Sequence, residues 1–312
     1  MKIAILGATS QIAKDLILSI SKAEDYSLAL FARRPEVVSN WLNLVNLKNR
    51  YTVQYFDEFH SENFFDVVIN FVGVGNPAQA VEMGNTIFEV TLKFDELVLQ
   101  YLNEHPACRY IFLSSGSVYG ANFDRPVDET SHSLMPVNNF HSQDWYSLAK
   151  LHAEGRHRAL SHRSIVDIRV FNYFSHSQDL SARFLITDIF RSIRSKELLR
   201  TSTLNIVRDF LNPTDFFRLI NSIIQSPGKN LALDCYTKAP IDKLSLLLEM
   251  QSNFGLKYEI DESFSNINAT GAKQFYFSNN RVAKKFGYAP LLTSLDGVLK
   301  EAEKMLQSNL LA

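Results

Sequence analysis

The feature that most constrains this chain is a series of short apolar runs separated by stretches of helical period. Lys2–Leu6, Ser27–Phe31, Thr52–Phe56, Val67–Phe71 and Tyr110–Ser114 read as strands. An unbroken run such as Val67-Val68-Ile69 needs cover on both faces, as in a parallel sheet. Ile12–Ser21, Ala78–Leu102 and Tyr146–Leu160 carry helical apolar spacing. Strand–helix alternation of this kind implies right-handed βαβ units and a doubly wound α/β sheet. Ser164–Phe171 supplies one more strand, after which the regularity weakens. Asp179–Lys196 and Thr214–Gln225 are expected helices and Leu231–Cys235 a short strand. The tail Asn279–Leu311 is expected to be helical around a turn at Gly287–Pro290.

Composition narrows the function by exclusion. A chain of 312 residues with 46% apolar and 21% charged residues can bury a full core. Its net charge of −1 gives no reason to expect nucleic acid or an anionic membrane as a partner. Cys108 and Cys235 are its two cysteines, which make no disulfide framework and match no zinc spacing. His152, His157 and His162 lie among Arg156, Arg158 and Arg163, a pattern expected of a solvated helix face rather than a metal site. The first residues, MKIAILGA, are too short an apolar run for a signal peptide, and no run approaches the roughly 20 apolar residues of a membrane span. A cytoplasmic protein is expected.

The first strand runs into Gly7-Ala8-Thr9-Ser10-Gln11-Ile12-Ala13 and then directly into a helix. In a dinucleotide fold such a turn offers backbone N–H groups and a helix N-terminus to a pyrophosphate. The glycine spacing is depleted: Gly7 remains, and Ser10 and Ala13 fill the other two places. An ordinary β–α turn would look the same. Candidate cofactor contacts are Gly7, Thr9, Ser10, Gln11 and Ile12. The second strand ends in Arg33-Arg34, where an NAD-specific fold has an acid for the ribose hydroxyl. Arginine there suits a 2′-phosphate, so NADP is expected, with NAD as the alternative; two exposed arginines opening a turn would give the same pattern. Asp57 could accept from the adenine amine, or serve as a turn carboxylate.

Three pieces that carry chemistry follow in order. The strand Ile111–Ser114 closes on a hydroxyl cluster, and Tyr146 and Lys150 then stand at i and i+4 on one helix face. A tyrosine with a reference pKa of about 10 needs help to exchange protons at neutral pH. A nearby ammonium and an oxidised nicotinamide would lower that pKa. A serine hydroxyl can polarise the same substrate oxygen, which is what carbonyl/alcohol interconversion beside a nicotinamide requires.

With these residues in place the chain resembles the extended short-chain dehydrogenase/reductases, of the epimerase/dehydratase type that modifies nucleotide sugars. The resemblance covers nearly the whole chain. It rests on Leu113–Gly120 with its Val-Tyr-Gly ending, Asp128-Glu129-Thr130 before Pro136, and the Tyr146/Lys150 pair. Arg169-Val170-Phe171-Asn172, Arg208-Asp209-Phe210 and the Gly-aromatic-x-Pro turn at Gly287–Pro290 add to it. It implies a Rossmann-type sheet over residues 1–171 and a smaller, discontinuous substrate lobe over 172–312, with segments returning to the sheet. It also implies Ser115, Tyr146 and Lys150 as catalytic residues, the latter two also touching cofactor. Asn172 would lie by the nicotinamide and sugar, and Arg208 would hold the substrate's diphosphate. Alternatively, Arg208 pairs only with Asp209 or Asp215. The segment Tyr173-Phe174-Ser175-His176 departs from the small residues usual after the asparagine. His176 could touch the sugar or be an exposed loop histidine.

Family dehydratases carry an Asp-Glu pair immediately after the catalytic serine or threonine; Gly116-Ser117 stand there instead. The expected reaction is therefore NADPH-dependent reduction of a nucleotide-linked 4-keto-6-deoxy sugar. A nucleotide-sugar 4-epimerase with bound NAD is the alternative, and a non-catalytic NADP sensor a third reading. A nucleotide-activated sugar is the expected partner, and a homodimer is allowed for.

Overall fold

Six apolar runs and the short strand near residue 231 hydrogen-bond into a single sheet. The computed structural model describes residues 1–23, 25–74, 77–262 and 273–307. In chain order the main elements of the first half are β1 (Lys2–Leu6), α1 (Gln11–Ile20), β2 (Ser27–Phe31), α2 (Pro35–Leu44), β3 (Thr52–Gln54) and β4 (Val67–Asn70). They continue with α3 (Pro77–Met83), α4 (Thr86–Glu104), β5 (Arg109–Ser115), α5 (Trp145–Ala159) and β6 (Ile165–Val170). The second half holds β7 (Asn172–Tyr173), α6 (Leu185–Ser195), β8 (Leu198–Thr201), β9 (Val207–Arg208), β10 (Phe210–Leu211), α7 (Pro213–Gln225) and β11 (Leu231–Asp234). It closes with β12 (Ile241–Asp242), α8 (Lys243–Phe254), β13 (Lys257–Ile260), β14 (Phe275–Tyr276) and α9 (Ser294–Gln307).

The seven-stranded sheet has the order β11-β6-β5-β4-β1-β2-β3, with every pairing parallel. The chain winds outward from β1 to β3, then crosses over to β4 and winds the other way. The reversal between β1 and β4 is where such a sheet opens a crevice at its carboxyl edge. Gly7 sits at that point with φ of 81°, and a Cβ there would meet the Phe71 carbonyl carbon at 2.9 Å. Only glycine fits.

Two apolar layers cover the sheet. Ile3, Ile5, Leu30, Ile69 and Ile168 face Ile17 of α1 and Phe216, Leu219, Ile220 and Ile223 of α7. Ala4, Leu6, Val68, Tyr110 and Phe112 face Val98 and Leu102 of α4 and Ala153 of α5. Each fully buried aliphatic side chain contributes roughly 1.5–3 kcal/mol, which is why α7 returns to the sheet from the second half. A third cluster, including Phe190, Leu247, Met250, Ala302 and Met305, binds α6, α8 and α9 into the lobe beside it.

Several elements differ from the sequence reading. The helix expected over Ala78–Leu102 is two helices, parted at Gly84, which takes φ of 56°. The helix expected from Asp179 begins at Leu185, because Asp179 accepts from Ser181 N at 2.8 Å and holds a turn instead. The strand from Thr52 stops at Gln54, where Glu58 turns back to accept from Tyr55 N at 2.7 Å. Helices α2 and α8 add to the sequence reading: Pro35 opens α2, and α8 runs from an Asp242 cap, which accepts from Ser245 N, to Gly255. In the tail a 3₁₀ turn (Val282–Phe286) precedes α9, and the part of that expected helix beyond 307 lies outside the described residues. Among the described residues, no helix is long and apolar enough to cross a membrane.

The basic stretch of α5 is also corrected. His152 and His162 are exposed, but His157 is fully buried. Its ring nitrogens lie 2.6 Å from Asp167 Oδ1 and 2.6 Å from Asp95 Oδ1, while Arg156 pairs with Asp95 and Arg158 with Asp167. Sequence patterning missed this because the three acids and bases come from α4, α5 and β6, which only the fold brings together. Burial alone would lower the His157 pKa, but hydrogen bonds and charge from Asp167 and Asp95 raise it to about 9. Raised above its unfolded value of about 6.5, the imidazolium stabilises the fold fully below pH 6.5. That contribution, on the order of 3 kcal/mol, fades as pH rises through about 9. Chemical denaturation of the unmodified protein and of His157→Gln should therefore differ most below about pH 6.5 and converge above pH 9. A His157 ring titrating near pH 6.5 by NMR would refute the assignment.

Candidate active site

Helix α5 places four ionisable side chains on one inward stripe: Tyr146, Lys150, Glu154 and His157. An ordinary amphipathic helix would fill that stripe with apolar residues. Here Lys150, Glu154 and His157 are buried, and each has partners. Glu154 accepts from Ser114 Oγ at 2.6 Å and from Arg169 NH2 at 2.6 Å. Arg169 also donates to Tyr119 OH at 2.7 Å, and Tyr119 donates to buried Asp234 at 3.0 Å. This network locks the end of β5 to α5 and β6, and so sets the positions of Ser115 and Lys150 beside it.

A cavity of about 710 Å³ opens at the carboxyl ends of β1, β4, β5 and β6. Ser115, Tyr146, Lys150, Asn172 and Arg208 all line it, as do Ser10, Gln11 and Ile12 from the first turn of α1. Five residues separated by up to 93 positions in the chain, from Ser115 to Arg208, thus face one space. Lys150 Nζ donates to the Leu113 carbonyl at 2.8 Å and lies 4.3 Å from the Phe112 ring centre. Burial lowers its pKa to about 8, against the opposing charges of Asp95, Asp167 and Glu154. Burial raises the Tyr146 pKa, and a hydrogen bond with the Ser115 hydroxyl opposes the rise.

Arg208 is buried in β9, and burial lowers its pKa to about 10. It donates to the carbonyls of Val207 at 2.8 Å and Gln274 at 3.3 Å. The alternative pairings do not form. Asp209 accepts instead from Thr237 N at 2.9 Å and from the Thr237 hydroxyl, and Asp215 accepts from the backbone of Leu291 at 2.7 Å and Leu292 at 3.2 Å. Asn172 donates to the Tyr276 carbonyl at 3.1 Å. His176 neither reaches the cavity lining nor is free, since its ring lies 2.6 Å from Glu301 Oε2.

Gly7, Thr9, Arg33, Arg34 and Asp57 follow β1, β2 and β3 and do not line the central cavity. Thr9, Arg33, Arg34 and Asp57 are exposed. At the start of α1, the N-cap Ser10 makes no side-chain cap, so the first-turn N–H groups remain available to an anion. With glycine enforced at position 7, this donor set fits a dinucleotide pyrophosphate.

Sequence reading missed Tyr276, Lys273 and Ser117, all of which line the cavity. Tyr276 bonds the Ser115 hydroxyl; burial chiefly raises its pKa, and neighbouring Tyr146 adds to the rise. Lys273 Nζ stands 4.6 Å from the Tyr276 ring centre. Burial lowers its pKa to about 8, with Arg208 adding to the fall and Asp144 opposing it. Tyr276 belongs to a strand of two residues, too short for any periodic signal. Ser117 is buried, and its hydroxyl has no partner among the described residues.

A family model described as NAD dependent epimerase/dehydratase family matches residues 3–233. The chain belongs to this family. No curated protein sequence matches it. Among solved structures, UDP-glucuronic acid 4-epimerase from Bacillus cereus, in complex with UDP-glucuronic acid and NAD, is similar with a TM-score of 0.75 at 16% identity, covering 99% of this chain and 100% of that one. UDP-glucose 4-epimerase from Bifidobacterium longum, in complex with NAD+ and UDP, gives 0.76 at 17% identity, covering 99% of each chain. dTDP-glucose 4,6-dehydratase from Bacillus anthracis, in complex with NAD, gives 0.77 at 15% identity, covering 99% and 97%. The epimerase/dehydratase fold is therefore shared along the whole chain. A Cβ at Gly116 would meet the Phe171 ring at 2.4 Å, so a side chain directly after Ser115 would require that ring to move.

Proposed function

We propose that this protein interconverts the configuration at C4 of a nucleotide-activated sugar, with Ser115, Tyr146 and Lys150 as its acid-base centre. One observation carries the reading: this hydroxyl–phenol–ammonium set shares a cavity with Arg208, a buried cation that has no carboxylate partner among the described residues. Such a cation is costly to bury unless an anion completes it, and a diphosphate answers that need. The Bacillus cereus and Bifidobacterium longum epimerases, crystallised with UDP-sugar or UDP, support carrying that substrate class to this chain.

A nicotinamide dinucleotide, held by the first turn of α1 and by Lys150, supplies acceptance and return of hydride at the sugar carbon. The chain's own residues move the proton. Tyr146, as the phenolate that Lys150 and the positive charge of an oxidised nicotinamide would favour, takes the proton from the C4 hydroxyl as the carbonyl forms and gives it back when the alcohol is restored. The Ser115 hydroxyl, bonded to Tyr146, hydrogen-bonds the same oxygen and fixes its position. Lys150, with a pKa of about 8, stays mostly protonated at neutral pH and favours the phenolate each time Tyr146 loses its proton. Arg208 and Lys273 hold the diphosphate. Incubating the purified protein with UDP- and dTDP-sugars and following the C4 configuration by NMR tests this. Lack of epimerisation across that panel, with a dinucleotide bound, would refute it.

One observation favours the reductase of a nucleotide-linked 4-keto sugar as a second reading. Arg33 and Arg34 at the end of β2 are exposed, with no ion pair among the described residues. They suit a 2′-phosphate, and NADPH suits net reduction. Titration by fluorescence should show tighter binding of NADPH than NADH, with the difference largely erased in the Arg33→Ala/Arg34→Ala protein. Tighter NADH binding by the unmodified protein would remove the ground for the reductase.

A further inference from the structure

The first turn of α1 and the loop after Asn172 lie against each other. Gln11 opens the helix, and the loop carries Ser175 and Gln178. Gln11 Nε2 donates to Ser175 Oγ at 2.9 Å and to Gln178 Oε1 at 3.2 Å. Both amide hydrogens of one side chain are thus committed to a single loop. We propose that Gln11, Ser175 and Gln178 form a latch across the cofactor cleft, which slows the release of the dinucleotide between catalytic cycles. The proposal rests on the reading above only in taking that ligand to be a dinucleotide.

The loop is well anchored for such a task. Ser175 Oγ lies 3.0 Å from Ser177 Oγ, and Ser177 donates to Asp15 Oδ1 at 2.9 Å. Tyr173 OH donates to Asp15 Oδ2 at 3.0 Å. Asp15 is buried on α1 itself, so the loop is fastened twice to the helix whose first turn receives the phosphates. From the other side, His176 N donates to Glu301 Oε2 at 3.0 Å, tying the loop to α9 in the substrate lobe. The latch therefore joins the sheet half and the lobe at the cavity.

Position gives the latch its consequence. Gln11 and Gln178 both line the cavity that also holds Ser10, Ile12, Tyr173, Ser115, Tyr146 and Lys150. A dinucleotide with its pyrophosphate on the first turn of α1 and its nicotinamide at Tyr146 shares the wall that the latch makes. Its departure requires the loop to part from Gln11, at the cost of two side-chain hydrogen bonds in a partly buried setting. Retention of this kind suits a reaction that takes a hydride and returns it to the same sugar.

The test measures dissociation of NADH and of NADPH from the full chain by stopped-flow fluorescence, chasing with excess oxidised dinucleotide. Gln11→Leu keeps the bulk and removes both donors, and it should raise the off-rate about tenfold. Gln178→Leu with Ser175→Ala should do the same, and combining all three should add little, since the changes break one contact. An unchanged off-rate in folded Gln11→Leu and in the loop variant would overturn the latch. So would a faster on-rate with an unchanged off-rate, which would mean that the contact only obstructs entry. The outcomes separate from those for function. Normal sugar turnover with unaltered off-rates defeats the latch alone, and altered off-rates without sugar turnover defeat the functional reading alone.

Discussion

Tyr146→Phe is expected to reduce turnover by about 10²- to 10⁴-fold, the usual worth of a positioned general acid, while the fold and dinucleotide affinity persist. The substitution removes one hydroxyl and keeps the ring, which is only partly buried. The hydroxyl's partner is Ser115, which retains contact with Tyr276 and still accepts from Ser117 N at 3.1 Å. No buried group is left wholly unpaired, so stability should change little. The pH profile adds a second readout. Lys150 loses its proton near pH 8, so turnover that depends on its ammonium should decline as pH rises through about 8. In Tyr146→Phe that dependence should disappear together with the activity. Full activity of Tyr146→Phe on an authentic substrate would refute the catalytic assignment.

Arg208→Ala should raise KM for the sugar nucleotide by about 10- to 150-fold and leave dinucleotide affinity nearly unchanged. Losing a charged hydrogen bond to a partly desolvated phosphate costs roughly 1.5–3 kcal/mol, and each 1.36 kcal/mol is tenfold. Because Arg208 has no carboxylate partner among the described residues, its removal strands no buried negative charge, and the variant should fold. Lys273 makes the assignment sharper. Its pKa of about 8 means that its attraction for a diphosphate is strongest below pH 8 and is lost above it, whereas Arg208, near 10, remains charged. KM of the unmodified protein should climb between pH 7 and 9, and Lys273→Met should flatten that climb while raising KM at pH 7. Unchanged KM in a folded Arg208→Ala would return the arginine to a purely structural role.

The way each residue was legible follows from the range over which its signal acts. Parallel strands buried on both faces announce themselves locally, because each needs an unbroken apolar run; β1 and β2 match their expected bounds residue for residue. Tyr146 and Lys150 were legible for a similar reason, since i and i+4 on a helix are neighbours whatever the fold. Gly7 was legible because the close approach of Phe71 permits no other residue.

What only the tertiary structure decided are the matters that need distant segments together. Arg208 is a buried cation with no carboxylate partner among the described residues, because Thr237 and the backbone at Leu291 and Leu292 occupy the two aspartates first. His157 is a buried imidazolium rather than a solvated histidine, because Asp95 and Asp167 arrive from α4 and β6. Burial raises the Tyr146 pKa, and desolvation depends on everything packed around a group rather than on its helical neighbours alone. Tyr276 and Lys273 reach the site from segments too short or irregular to carry a pattern. Local sequence determined the sheet, the glycine at its switch point and the Tyr146/Lys150 pairing on one helix face. Burial and charge pairing are sums over the whole fold, so the electrostatics of the site were settled only by tertiary structure.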